Sequence, residues 1–352
     1  MKHLIWVLLL LLIIVRYFTS RPVYRNGDRV RITTVVYSDP TKYPGSQYLR
    51  LAGLKTYLPL SPEIYYGDKV IVEGVVDGDG LNDPKLISVN ENSAPLSAVR
   101  KSIISFYNLS LPEPESGLLA GIVLGSRSSL SQDFYNKTKL TGVAHIVVAS
   151  GTNVTFVVSF LTSVLFIFLP RRKAIPFVIL GIILYLFISG FDAPLIRAAI
   201  MSSALFISQE TGRLVNGWRV FFLSAGFMLV YNPEWAVNVG FLLSFASTGA
   251  IMLLSRRVNI LIKKVPEFLR EDLATTLSAQ VGTTPILFVI FRQFNILSTL
   301  VNLLVLWTVP ILMVIGVVGG IIGVLIPTLG KVVVLLAYPM LWWFVRVVEI
   351  FG

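Results

Sequence analysis

The sequence predicts a polytopic α-helical membrane protein of about eight to nine membrane helices, with a small N-terminal β domain held outside the cytoplasm. Three observations carry that expectation. Hydrophobic residues make up 55% of the 352 positions and charged residues only 14%, with a mean hydropathy of +0.76. A soluble domain carries about 25% charged residues. Apolar stretches near spanning length follow one another from Gly142 to the end of the chain. Between the first apolar run and residue 95 the chain changes to short, partly alternating, β-rich segments.

The net charge is +11, yet residues 21–100 hold ten Lys/Arg against nine Asp/Glu. The excess therefore lies in the membrane part, where it reports topology. A basic balance of that kind says little about nucleic acid. The absence of cysteine excludes disulfides and thiolate metal sites.

Residues 1–20 read as a membrane anchor. An apolar run from Leu4 to Phe18 follows Lys2, with Arg16, Arg21 and Arg25 behind it. Tyr17-Phe18-Thr19-Ser20 lacks a small-x-small cleavage site, so a retained helix is expected in place of a signal peptide. It is short for a span of about 20 residues.

Residues 21–95 form the β domain. Strands are expected at 29–36 (RVRITTVV), 48–54, 69–76 (KVIVEGVV) and 85–89, separated by Gly, Pro, Asp and Asn. Gly-Asp-basic-Val opens two of them, at Gly27 and at Gly67. Four or five short antiparallel strands fit an OB-like barrel; another small β fold is the plainer alternative.

Residues 96–130 read as amphipathic interfacial helices. Val99, Ile103 and Phe106 share one face of a helix over 97–109, as a segment on the membrane surface would. Leu111-Pro112-Glu113-Pro114 breaks it, and residues 117–124 start an apolar helix too short to span, ending at Gly125-Ser126-Arg127.

Residues 131–352 form the transmembrane domain. Helices are expected at 143–169, 174–190, 193–209, 217–231, 235–255, 273–291, 297–325 and 331–351. Pro176, Pro194, Pro285 and Pro310 fall within them or at their starts, which membrane helices tolerate. Connections bearing Arg171-Arg172-Lys173, Arg213 with Arg219, Arg256-Arg257 with Lys263-Lys264, and Lys331 alternate with Asp192, Glu234 and Arg292. The positive-inside rule makes the first set cytoplasmic. That leaves the β domain outside and Met1 inside, although Arg16, Arg21 and Arg25 argue the other way.

Chemistry concentrates in residues 141–158, TGVAHIVVASGTNVTFVV. His145 and Ser150 suggest an acid–base and nucleophile pair, and VASGT faintly resembles the Gly-x-Ser-Gly of intramembrane serine proteases. Five residues turn a helix by about 500°, which points the two side chains apart. Two histidines and scattered acids offer no zinc site, and no phosphate-binding loop of the Walker type occurs. No catalytic residue, metal or cofactor is expected.

What remains is a set of polar residues on oily helices: His145, Ser150, Thr152, Asn153, Thr155, Arg197, Asn238, Ser244, Ser247, Thr248, Gln280, Thr283, Thr284, Asn295, Ser298 and Asn302. Interhelical hydrogen bonding, worth about 0.6 kcal/mol per contact, accounts for an isolated Ser or Thr. Asn153, Arg197, Gln280 and Asn302 lie on four separate helices and cost more to bury, which favours the lining of a watery path. A direct pair between Asp192 and Arg197 is not indicated by a spacing of five.

Residues 111–154, LPEPESGLLAGIVLGSRSSLSQDFYNKTKLTGVAHIVVASGTNV, resemble the ComEC-type competence family of bacterial DNA-uptake membrane proteins. Pro/Glu-rich residues, a Leu-Leu-x-Gly helix, a Gly-x-Arg turn and Gly-x-x-His-x-x-x-x-Ser-Gly stand in that order. Three later blocks are similar too: Pro194 to Met201, Gly240 to Ala246, and Gln280 to Pro285 followed by Leu297-Ser298 and Asn302-Leu303-Leu304. The resemblance implies a channel passing single-stranded DNA across the cytoplasmic (inner) membrane in natural transformation, with an OB-like domain before the helices. His145, Ser150, Gly151, Arg197, Ser244, Gln280 and Asn302 fall at family motif positions.

The sequence also departs from the family. Asn153 stands where many members place a histidine, Leu242 where a Gln is common, and Trp307 where a proline is common. Many members end in a metallo-β-lactamase-like nuclease, for which this chain has no histidine cluster, so a separate nuclease is expected.

The expected path is lined by His145, Ser150, Gly151, Thr152, Asn153, Arg197, Ser244, Gln280, Thr284 and Asn302, while Tyr37, Tyr43, Tyr48 and Tyr57 stack on bases in the β domain. Expected partners are single-stranded DNA, membrane lipid, a cytoplasmic motor or helicase and a DNA receptor; a homo-dimer is compatible but no helix face specifies it. The rival reading is a lipid or small-molecule transporter on the same scaffold. The neutral β domain favours it, because nonspecific DNA binding usually relies on a basic surface.

Overall fold

The computed structural model describes residues 2–19, 24–43, 45–91, 93–147, 150–212, 215–291 and 298–352. Met1, Ser20, Arg21, Arg213, Arg292, Asn295 and Leu297, used above, lie outside these. A first helix, α1 (Lys2–Thr19), leads into β1 (Arg29–Val35), β2 (Thr41–Tyr43), β3 (Ser46–Leu51), β4 (Leu54–Pro59), β5 (Lys69–Asp77) and β6 (Gly80–Asn90). The six strands form one sheet in the order β1-β5-β6-β4-β3-β2, with every pairing antiparallel except β4 with β6. The two end strands, β1 and β2, are neighbours in sequence. Alternation places Leu49, Leu51, Leu54, Leu58, Val70 and Val72 on the inner face of the sheet.

One expected strand is really two. The chain turns at Ala52-Gly53, both at positive φ (49° and 86°), so that Leu51 faces Leu54 across a two-residue hairpin. Such a turn usually announces itself as Asn-Gly or Asp-Gly, and Ala52 conceals it.

The helices are α2 (Ser97–Ser110), α3 (Glu115–Leu124), α4 (Gln132–Leu140), α5 (Ala144–Val147), α6 (Gly151–Phe168), α7 (Arg171–Ser189), α8 (Ala193–Thr211), α9 (Gly217–Tyr231), α10 (Val239–Leu261), α11 (Glu267–Phe291), α12 (Ser298–Val305), α13 (Val309–Leu325), α14 (Pro327–Leu335) and α15 (Tyr338–Phe351). Among the described residues five helical runs are long and apolar enough to span a membrane: α6, α7, α10, residues Leu269–Ile290 of α11, and Ser298–Leu325. Counting α14 and α15, bent by 51°, as one broken span makes six. That is fewer than the eight to nine expected. The difference has local causes: α9 has only 15 residues, and α8 carries Arg197, Gln209 and Glu210 among its 19.

Helices α2 and α3 pack into the protein. All ten residues of α3 are buried. Helix α2 turns Ile103, Phe106 and Tyr107 onto a glycine face of α13 and leaves Val99 exposed. A Cβ on Gly320 would stand 2.6 Å from Tyr107 Oη, and one on Gly323 would overlap the Phe106 ring. Tyr107 Oη then donates to Gly316 O at 2.7 Å. Small residues let backbones approach in this way.

An open groove of about 600 Å³ runs along α2 from Ala98 to Leu109 and is bordered by Gly323, Val324 and Pro327.

Polar contacts join the sheet to the helices, and the sequence reading passed over them. Arg100 of α2 reaches Asp39, between β1 and β2, at 2.9 Å, with both side chains 4% exposed. Its other donors meet the carbonyls of Leu124 and Ile188, at the ends of α3 and α7. Tyr66 Oη donates to Phe187 O at 3.0 Å, and Gln132 Nε2 to Lys42 O at 2.9 Å.

Candidate functional site

The stretch expected as one helix over 143–169 is broken. Helix α5 ends at Val147, and Ser150, in an extended conformation (φ −106°, ψ 166°), begins α6. Two glycines fix the break from either side. Gly142, at φ +76°, leaves no room for a Cβ beside Ser298, and a Cβ on Gly151 would come within 2.8 Å of Arg197 Nη2 and 3.2 Å of Ala198 Cβ.

Within the break the side chains satisfy one another. Ser150 Oγ lies 2.6 Å from Thr152 Oγ1 and donates to Asn153 Oδ1 at 3.0 Å, so it does not cap the helix. Asn153 is fully buried and donates from Nδ2 to Ile122 O of α3 at 2.7 Å. It faces α3 and serves as a clasp between helices. His145 is exposed and its Nδ1 donates back to Gly142 O at 3.0 Å. His145 and Ser150 are each bonded elsewhere, so the arrangement holds no nucleophile–base pair.

Arg197, one turn into α8, is partly buried. Its Nε donates to Ser244 Oγ of α10 at 2.7 Å, Nη1 lies 3.7 Å from Met201 Sδ, and Cζ sits 6.0 Å from the centre of the Phe245 ring. No carboxylate pairs with it among the described residues. Asp192 instead meets Arg127 at 3.5 Å. The guanidinium thus rests against the first peptide of α6, at the end of a helix dipole that also favours anions.

Gln280 of α11 donates from Nε2 to Ser298 Oγ at 3.0 Å and accepts at Oε1 from Thr299 Oγ1 at 2.8 Å. Thr284 lies one turn further along α11, partly buried. Asn302 of α12 is 5% exposed and its Oδ1 has no hydrogen-bond partner among the described residues. Gly282 packs tightly on the α10 backbone at Ala246.

These contacts close a ring. Gly151 meets Arg197, Arg197 meets Ser244, α10 meets α11 at Gly282, Gln280 meets Ser298, and Ser298 returns to Gly142. Gly151, Arg197 and Ser244 form one group of expected residues, and Gln280 with the Gly142–His145 turn forms another. Thr152 is exposed beside the first group; Asn153 and Asn302 are buried. Ser298, Thr299 and Gly142 complete the ring. Thr299 and Gly142 were missed as site residues, because neither signals more than a local turn.

The tyrosines divide as well. Tyr48 and Tyr57 face each other across β3 and β4 with ring centres 5.1 Å apart, and Tyr43 lies 6.4 Å from Tyr57. The next cross-strand pair on that face is Arg50 with Lys55, which the sequence reading did not single out. Asp79, hydrogen-bonded to Lys55 at 2.7 Å, holds that ammonium's pKa above its usual value. Tyr37 lies apart, packed edge-on against Tyr66 and Phe191 where sheet meets helices.

A mostly helical chain with five or six candidate spans, a polar ring among them and a small N-terminal sheet is of the membrane-protein class. It belongs to the family described as Competence protein, whose model matches residues 122–352. It is similar to ComE operon protein 3 of Bacillus subtilis (strain 168), 31% identical over 234 residues, which are 66% of this chain and 29% of that protein. Recombination protein 2 of Haemophilus influenzae is 27% identical over 150 residues (40% and 19%), and Competence protein ComA of Neisseria gonorrhoeae 28% over 145 residues (39% and 21%). The matched region thus spans less than a third of the length of these relatives. No solved structure matches the chain significantly.

Proposed function

We propose that the chain forms a channel that passes single-stranded DNA across the bacterial cytoplasmic membrane during natural transformation. The observation that carries this reading is Arg197: a cation among apolar helices, without a carboxylate partner among the described residues, set against the start of α6. A charged side chain packed among apolar helices is costly unless it is paired, and an anion is the ligand such a place suits. A phosphodiester passing one such cation is held weakly enough to leave, as conduction requires. The family, and the words competence and recombination in the relatives' names, support DNA as the source of that anion.

The sheet supports the same reading. We take it as an OB-like extracytoplasmic barrel, with β1 and β2 as halves of one bent first strand. Strands β3 and β4 then correspond to the second and third strands, whose face binds oligonucleotides in such folds. Tyr48, Tyr57, Arg50 and Lys55 stand on them, an aromatic and basic surface suited to stacking and backbone contact. The driving force comes from a cytoplasmic motor.

Uptake of labelled DNA by cells carrying Arg197→Leu, at matched membrane abundance, tests the path. A charge-assisted hydrogen bond is worth about 1.5–3 kcal/mol, so uptake is expected to fall at least about tenfold. Unimpaired uptake in Arg197→Leu and Gln280→Leu alike sinks the path. The near-neutral charge of residues 21–100 favours the second reading, a lipid or small-molecule transporter. Absence of DNA binding by the full chain at low salt would favour it further.

A further inference from the structure

Asp39 lies outside the ring, yet it is the centre of the junction between sheet and helices. Its Oδ2 accepts from Arg100 Nη2 and from the Arg127 backbone N–H, each at 2.9 Å. Arg100 is held on the helical side independently of the sheet, because the carbonyls of Leu124 and Ile188 both accept from its Nη1. Those carbonyls close α3 and α7, where helix dipoles favour a cation. Arg127 continues to Asp192, which begins the helix carrying Arg197. A buried ion pair is a weak source of stability beside apolar packing of similar volume; its best attested use is to fix registry.

We propose that Asp39 is a positioning residue. Through Arg100 and Arg127 it sets the register of the β domain against α3, α7 and α8, and so aligns the tyrosine face with the Arg197 ring for strand transfer. The purpose rests on the transport reading above; the geometry does not.

The chain has no cysteine, so thiols can be introduced cleanly. Lys42→Cys and Gln132→Cys lie on opposite sides of the junction. Spin labels at this pair in the reconstituted full chain report the alignment without any cargo. One narrow distance distribution is expected with Asp39 present, and a shifted or broadened one in Asp39→Asn while circular dichroism shows both to be folded. In cells, Asp39→Asn is expected to lower DNA uptake about tenfold, and a short thiol-to-thiol crosslinker across the same pair to restore most of it.

An unchanged distance distribution overturns the proposal. So does uptake that stays lost after the crosslinker has restored the distance. If Asp39→Asn does not reach the membrane, Asp39→Glu keeps the charge on a longer arm and is read in the same way, a displaced distance supporting the proposal and an unchanged one overturning it. If the parent chain itself takes up no DNA, the transport reading fails, and the distance measurement alone upholds or overturns the positioning role.

Discussion

The surroundings of Asn153 explain what an amide does there. Its two ends meet Ile122 O and the Ser150 hydroxyl, both inside the protein. Asn153→Leu removes both partners and leaves a buried carbonyl unpaired, which costs about 1–3 kcal/mol. We expect a lower thermal midpoint for the purified variant. Arg197→Leu, by contrast, removes a costly charge and is expected to leave that midpoint unchanged or raised while uptake falls. The sequence marked both residues as polar groups on oily helices, but could not separate clasp from lining. That distinction depends on which neighbour a side chain meets, and here the partner is the backbone carbonyl of Ile122, an acceptor with no particular sequence signature.

At the level of elements, helix bounds in the membrane part were legible wherever apolar runs ended in polar residues: α7, α8 and α9 lie within a few residues of their expected limits. Breaks inside apolar runs were not. The extended Ser150 ahead of α6, the bend between α14 and α15, and the 3-10 turn Leu306–Thr308 leave hydropathy unchanged while altering only the backbone. At the last of these, Trp307 and Trp343 both donate their indole N–H to Leu304 O, at 2.8 and 2.9 Å. Either indole can serve that carbonyl alone. Trp307→Phe and Trp343→Phe are therefore expected to be non-additive, the double variant losing about 0.5–3 kcal/mol more than the sum in a double-mutant cycle on unfolding. The glycine face of α13 gives a sharper case. Gly320→Val must displace Tyr107 from Gly316 O, combining overpacking of about 1–3 kcal/mol with a lost hydrogen bond. Membrane abundance should fall well below that of Tyr107→Phe, which loses the hydrogen bond alone.

For the whole molecule, the seam between sheet and helices responds to pH. Burial pushes the Tyr66 hydroxyl up to about 12, from a usual value near 10. A group whose pKa is raised on folding contributes stability that is present below its unfolded value and lost as pH rises through the folded one. The docking of the sheet on α7 should therefore weaken between about pH 10 and 12, and Tyr66→Phe should blunt that change. Protease sensitivity of the junction, followed across that range, reads both. The seam was invisible in the sequence because Asp39, Tyr66, Arg100 and Phe187 come from four distant segments, and no local spacing relates them.

The bare peptide at Gly151 has a consequence for how the ring can be probed. Because the guanidinium leans on that peptide, a single added methyl would push it out of place without removing any ionisable group. Gly151→Ala is thus an arginine variant in disguise: the formal charge of the chain is unchanged, but the charge is no longer where an anion would find it. If location matters more than total charge, this silent methyl should impair uptake almost as much as Arg197→Leu, whereas removing an exposed lysine elsewhere should not.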